Sequence, residues 1–129
     1  MKRLASLATG LLLLAASTGA APAMEGDAYY GTLYDRETGT LDLVLHRGTT
    51  YSYTGRCDLD CSDLDFALSE WVPPYNGRRG YWRFVTSDRG TDDTPSVWVR
   101  PAYDATFRLS IIMSRCTIEP CRYDVDVTW

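Results

Sequence analysis

The longest apolar run of the chain reads Thr106-Phe107-Arg108-Leu109-Ser110-Ile111-Ile112-Met113-Ser114-Arg115. Its residues Phe107, Leu109 and Ile111 recur at every second position. A period of two places successive side chains on opposite faces of a β-strand. The run therefore predicts a strand with one face in a hydrophobic core.

Shorter runs of the same kind lie on both sides of it, and turn residues separate them. No segment after residue 23 has a sustained apolar pattern of helical period. The runs are Ala28–Tyr34, Leu41–His46, Thr49–Arg56, Asp63–Leu68, Tyr81–Thr86, Ser96–Arg100 and Tyr123–Trp129. With Thr106–Arg115 they make about eight strands. Eight strands with one polar face each predict an all-β fold, an antiparallel two-sheet sandwich that is jelly-roll-like.

The first 23 residues have the organisation of an export signal. Lys2 and Arg3 form a basic start, Leu4–Ser17 is apolar, and Ala21-Pro22-Ala23 fits the small-x-small rule for cleavage. We therefore expect residues 1–23 to be a signal peptide. Residues 24–129 are expected to form a single β-sandwich domain that is periplasmic or extracellular.

The charge balance restricts the partners of this domain. Removing residues 1–23 removes Lys2 and Arg3 and leaves 11 arginines against 17 acidic side chains, a net charge of −6. Such a balance argues against nucleic acid and anionic membrane surfaces as partners. No later apolar stretch is long enough to span a bilayer. We expect a monomer without membrane insertion, whose partner is an unknown protein or carbohydrate.

Four cysteines occur as two closely spaced pairs, Cys57-x3-Cys61 and Cys116-x4-Cys121. In an exported protein such cysteines form disulfides more often than metal sites. Four cysteines allow three connectivities, and the sequence alone does not choose among them. The local pairs are favoured because each lies where the chain should turn or bend. The second pair is expected to close a hairpin between the last two strands.

Clustered aspartates are candidate calcium ligands, since calcium prefers several carboxylate oxygens. The six candidates are Asp58, Asp60, Asp63, Asp65, Asp92 and Asp93. The glycine and terminal glutamate of an EF-hand are absent. The alternative interpretation is that Asp58, Asp60 and Asp63 accept hydrogen bonds from backbone N–H groups of their loop. We favour that alternative and expect no cofactor.

Candidate catalytic groups are few. His46 is the only histidine, and its position in an alternating run predicts a solvent-exposed side chain. Neither a G-x-S-x-G nor an H-E-x-x-H motif is present. We therefore expect a binding or accessory module and no catalytic residues. The alternatives are a small carboxylate-dependent hydrolase and a structural subunit of the cell envelope.

The segment Trp71–Phe84 contains five aromatic residues and three arginines. Its Asn76-Gly77 step favours a type I′ hairpin turn, which predicts a protruding ribbon. Aromatic and arginine side chains are frequent anchors of binding surfaces. The candidate partner-binding residues are Trp71, Tyr75, Arg78, Arg79 and Trp82. The alternative is that the aromatic rings cover one end of the sandwich while the arginines are only solvated.

The string Gly55–Phe66, with Asp58-Leu59-Asp60 between two cysteines, resembles the aspartate-leucine-aspartate segment of bacterial pre-peptidase C-terminal domains (PPC domains). The closing Cys116 and Cys121 are similar to those of cysteine-bearing variants. The resemblance covers roughly Leu41 to Trp129 and implies a jelly-roll-like sandwich in a secreted protein. Between Glu70 and Val85 the sequence departs from the family, which usually has a short polar turn there.

Overall fold

The computed structural model describes residues 24–129, so the predicted signal peptide lies outside the described residues. All eight predicted strands are present. They are β1 Gly26–Leu33, β2 Thr38–Leu45, β3 Tyr51–Cys57, β4 Cys61–Val72, β5 Tyr81–Asp88, β6 Ser96–Val99, β7 Ala105–Cys116 and β8 Cys121–Thr128. Within residues 24–129 there is no helix that could cross a membrane.

The strands form two four-stranded antiparallel sheets. The first sheet has the order β1-β8-β3-β6 and the second has the order β2-β7-β4-β5. Most connections therefore cross from one sheet to the other, and only β4 and β5 are both consecutive and paired. This arrangement is that of a jelly roll, in which two Greek keys close over one core. The predicted fold class is confirmed.

The core lies between the inner faces of the two sheets, where alternate side chains of each central strand are buried. Its largest fully buried residues include Tyr53, Val125 and Val127 in the first sheet, and Phe66, Phe107, Leu109, Ile111 and Met113 in the second. The alternation in β7 that predicted the fold is thus the alternation between core and outer surface. At Gly55 a Cβ atom would collide with the Phe66 ring, so glycine lets that ring lie against β3.

Both local disulfides are present. Cys57–Cys61 joins the end of β3 to the start of β4 with a Cα–Cα distance of 5.8 Å, and Cys116–Cys121 joins β7 to β8 at 6.0 Å. The favoured pairing is confirmed. The hairpin predicted for the second pair is wrong, because β7 and β8 belong to different sheets and the connection is an arch between them. A short disulfide loop accommodates either geometry, so its spacing does not distinguish the two.

Candidate functional site

The hairpin formed by β4 and β5 is the most prominent departure from a plain sandwich. β4 continues to Val72, four residues past the predicted end at Leu68, and its pairing with β5 shifts register between Leu68 and Ser69, where Val85 of β5 is the extra residue. Such a bulge bends the strand that carries it, here β5, and changes which residues of β4 and β5 stand opposite each other beyond it. As a result Trp71 and Trp82 lie directly opposite each other on the paired strands. Only residues 73–80 connect β4 to β5.

The tip of this hairpin has the predicted type I′ turn. Asn76 has a φ of 55° and Gly77 a φ of 81°, the two positive values that this turn requires. The Tyr75 N–H donates to the Arg78 carbonyl at 3.2 Å, and the Arg78 N–H donates to the Tyr75 carbonyl at 3.0 Å. The backbone shape of the tip is therefore set by its own residues.

The root of the hairpin is held by aromatic packing. The rings of Trp71 and Trp82 are 5.2 Å apart at an angle of 58°, and both side chains are half-buried. A Cβ atom at Gly80 would collide with the Trp71 ring and press on Pro74, so the absence of a side chain lets the ring lie against the connection. These two tryptophans therefore join β4 to β5 on the outer face of the hairpin.

An ion pair between Glu70 and Arg83 adds to this support. Glu70 is only 8% exposed, and its carboxylate accepts a hydrogen bond from the Arg83 guanidinium on the neighbouring strand. That hydrogen bond raises the pKa of Arg83. A buried carboxylate without this partner would be strongly unfavourable, so the pair ties the two strands together at the base of the hairpin.

The side chains at the tip are different, because they face solvent. Tyr75 is 79% exposed, and Arg78 and Arg79 are also exposed. Within residues 24–129 neither of these two arginines has a carboxylate oxygen within 4 Å. Together with Trp71, Pro74 and Gly80, these side chains line an open concavity of about 560 Å³. A protein of net negative charge thus presents two guanidinium groups without a nearby carboxylate on a hydrogen-bonded turn.

We call Tyr75, Arg78 and Arg79 the hairpin tip, and Trp71, Trp82 and Gly80 the hairpin root. The sequence placed the five candidate residues in one class, whereas the structure divides them between tip and root. Sequence spacing could not make this division, because the predicted end of β4 at Leu68 left Trp71 outside the strand.

Two of the four aspartates near the first disulfide, Asp58 and Asp92, accept backbone hydrogen bonds. The Asp58 carboxylate accepts the N–H of Asp60 at 3.2 Å and the N–H of Arg122 at 2.9 Å. Asp60 is half-buried in the connection between β3 and β4. Asp92 accepts the N–H of Thr94 at 3.1 Å, and Asp93 is exposed in the connection between β5 and β6. The bond from Asp60 to Asp58 is the predicted kind of loop contact, whereas Arg122 lies on β8, outside that loop. The preference for a loop role over calcium binding stays a prediction.

Asp63 and Asp65 form a separate pair on the outer side of β4. Asp65 is only 6% exposed and accepts a hydrogen bond from the Ser114 hydroxyl. Each of the two aspartates has one buried oxygen without a hydrogen-bond partner. Burial first, and then the negative charge of Asp65, raises the pKa of Asp63. Across residues 24–129 no three acidic, histidine or cysteine side chains come together as a metal site.

His46 is solvent-exposed, as predicted. It follows the end of β2, and its Nδ1 atom lies 3.9 Å from a carboxylate oxygen of Asp104. Both side chains are about two-thirds exposed. The arrangement is a surface contact.

Comparison with models of protein families finds none that matches this chain, and a search of curated proteins finds no similar sequence. Among solved structures, the fold is similar to that of PliG from Aeromonas hydrophila, a periplasmic lysozyme inhibitor of g-type lysozyme. The TM-score is 0.52 and the identity 13%, over 81% of this chain and 86% of PliG. The likeness concerns the fold. The resemblance to pre-peptidase C-terminal domains stays a prediction.

Proposed function

We propose that this protein is an exported, non-enzymatic binding module, and that its hairpin tip inhibits a lysozyme-type glycoside hydrolase. The observation that carries the proposal is the cationic tip. Arg78 and Arg79 are exposed and unpaired with any described carboxylate, and they stand on a turn whose backbone is fixed.

The chemistry of the proposed partner matches this tip. Glycoside hydrolases use two carboxyl groups that flank the bond they cleave, so their clefts are concave and acidic. A guanidinium group forms strong charge-assisted hydrogen bonds with a carboxylate, often two at a time. A turn that is already ordered loses little conformational entropy on binding. A narrow hairpin with two arginines at its end therefore fits such a cleft in both shape and charge.

Three further observations support the proposal. The similar fold of PliG belongs to a periplasmic inhibitor of an enzyme, which agrees with a binding role here. Two disulfides are typical of proteins in an oxidising compartment, such as the periplasm or the medium. The open concavity beside the tip leaves room for a partner surface against Trp71 and Pro74.

The test is inhibition of cell-wall lysis by g-type lysozyme, with a lysozyme of another sequence type and an unrelated amylase for comparison. The tip variant R78Q/R79Q is compared with R89Q/R100Q, which removes the same charge from exposed arginines outside the hairpin. A hot-spot residue contributes about 2 kcal/mol or more, so the tip variant should inhibit at least about 30-fold less well. The control variant should inhibit like the natural protein.

Two results would contradict the proposal. One is the absence of both inhibition and binding at roughly 10 µM protein for every lysozyme tested, a concentration at which weak complexes are still seen. The other is equal inhibition by the tip variant and its control. Self-association into large assemblies in the same preparations would instead favour a structural role in the envelope.

A further inference from the structure

A continuous row of side chains crosses the outer face of the second sheet and ends at the hairpin root. On β2, Asp42 accepts two hydrogen bonds from Arg108 of β7, at 2.8 Å from Nε and 2.9 Å from Nη2. The same guanidinium lies over the ring of Trp82 on β5, 4.3 Å from its centroid. Trp82 in turn packs against Trp71 at 5.2 Å.

Arg108 reaches Trp82 by crossing over β4, which lies between their strands. The β4 residue opposite Arg108 is Ser69, and Ser69 is also opposite Phe84 of β5. Because serine is small, the guanidinium can extend above it toward the next strand. A larger side chain at this position would occupy that path.

Asp42 fixes the plane of the guanidinium through its two parallel hydrogen bonds. A guanidinium held in this way has little freedom to rotate, which favours one stacked position over the ring. The hydrogen bonds from Arg108 lower the pKa of Asp42 against the opposing effect of partial burial. An aspartate is ionised at neutral pH, and the bonds from Arg108 favour that ionised form further.

We propose that Asp42 and Arg108 are positioning residues for the hairpin: they hold Trp82 and Trp71 in place, and through them the connection that carries the tip. A cation over an aromatic ring contributes modestly at a partly exposed site. A two-stranded hairpin is nevertheless only marginally stable by itself, so a modest contact at its root shifts its order measurably. The predicted effect on the order of the hairpin does not depend on the proposed function, whereas any effect on partner binding does.

The chain contains a matched control on its other sheet. Arg122 of β8 lies over the ring of Tyr30 at 4.5 Å and pairs with Asp124 at 3.2 Å. It makes the same two kinds of contact as Arg108, with no tryptophan pair beyond it. R108Q and R122Q remove the same charge and the same kind of stacking, and only R108Q touches the row that leads to the hairpin root.

Two measurements on the exported protein decide the matter without a partner. The first is the coupled circular-dichroism signal of the Trp71–Trp82 ring pair. The second is hydrogen exchange at the amides of Tyr75 and Arg78, which bond to each other across the turn. We expect R108Q to weaken the coupled signal and to speed this exchange about two- to fivefold, the change expected from losing one exposed cation–ring contact. R122Q should leave both unchanged.

D42N is the second variant, and it keeps the guanidinium but weakens its anchor. It should weaken the coupled circular-dichroism signal and speed the exchange, as R108Q should. If R108Q fails to fold, D42N alone tests the positioning role. Equal effects of R108Q and R122Q, or unchanged signals in both R108Q and D42N, would overturn the positioning role. Absence of lysozyme inhibition by the natural protein would overturn the proposed function alone, because neither measurement involves lysozyme.

Discussion

Replacing Trp71 by alanine removes the ring that packs against Trp82 and Gly80 in the hairpin root. Truncating a fully buried tryptophan costs about 3–5 kcal/mol. Trp71 is half-buried, so we expect a loss of about 2 kcal/mol in the free energy of unfolding, of which its contact with Trp82 supplies about 0.5–1.5 kcal/mol. For a domain of about 100 residues, 1 kcal/mol corresponds to a Tm change of about 4 °C or more. The W71A protein should therefore melt about 8 °C or more below the natural protein.

Thermal unfolding followed by circular dichroism measures this change, and Tyr75→Ala is the matched control. Tyr75 belongs to the tip and is 79% exposed, so its removal should change stability by no more than about 0.5 kcal/mol. Both variants should weaken partner binding, W71A by loosening the support and Y75A by removing a contact. A W71A protein that melts with the natural one, or a Y75A protein that is equally destabilised, would refute the division into root and tip.

Three other substitutions test separate parts of the structure. Gly80→Ala places a methyl group where the Trp71 ring lies, and overpacking of this kind costs about 1–3 kcal/mol. The Tm should therefore fall and the circular-dichroism signal of the Trp71–Trp82 pair should weaken. An unchanged signal would contradict the contact between Gly80 and the Trp71 ring. Asp63→Asn removes a carboxyl group whose pKa is raised in the folded protein. The folded state then binds the proton more tightly than the unfolded state, so the stability of the natural protein rises as pH falls through the folded pKa. D63N should therefore be more stable than the natural protein at pH 7, and this difference in stability should shrink toward about pH 4. Melting temperatures of the two proteins that move further apart in acid would contradict this. Replacing Cys116 and Cys121 together by serine should reduce the free energy of unfolding by about 2 kcal/mol, the value expected for closing a short loop. Peptide mapping of the natural protein without reduction should link these two cysteines.

The sequence determined the strands, the sandwich and the shape of the hairpin tip, because each of these depends on neighbouring residues. Alternation in Thr106–Arg115 and the other runs places side chains on two faces whatever lies around them. The Asn76-Gly77 step fixes its own turn, since positive φ at two successive residues is favourable for few other pairs. The favoured pairing of the cysteines has the same origin, as each disulfide closes over three or four intervening residues.

The tertiary structure decided everything that depends on which strands become neighbours. The sequence pattern of β7 and β8 fits a hairpin as well as an arch, and only the packing of two sheets over one core separates them. In the same way Asp65 lies on the outer side of its strand and is still buried, and it accepts a hydrogen bond from Ser114 of the neighbouring strand. The row from Asp42 to Trp71 joins residues from four strands. No local pattern encodes such a contact, since it exists only after the strands of the second sheet have paired in their final order.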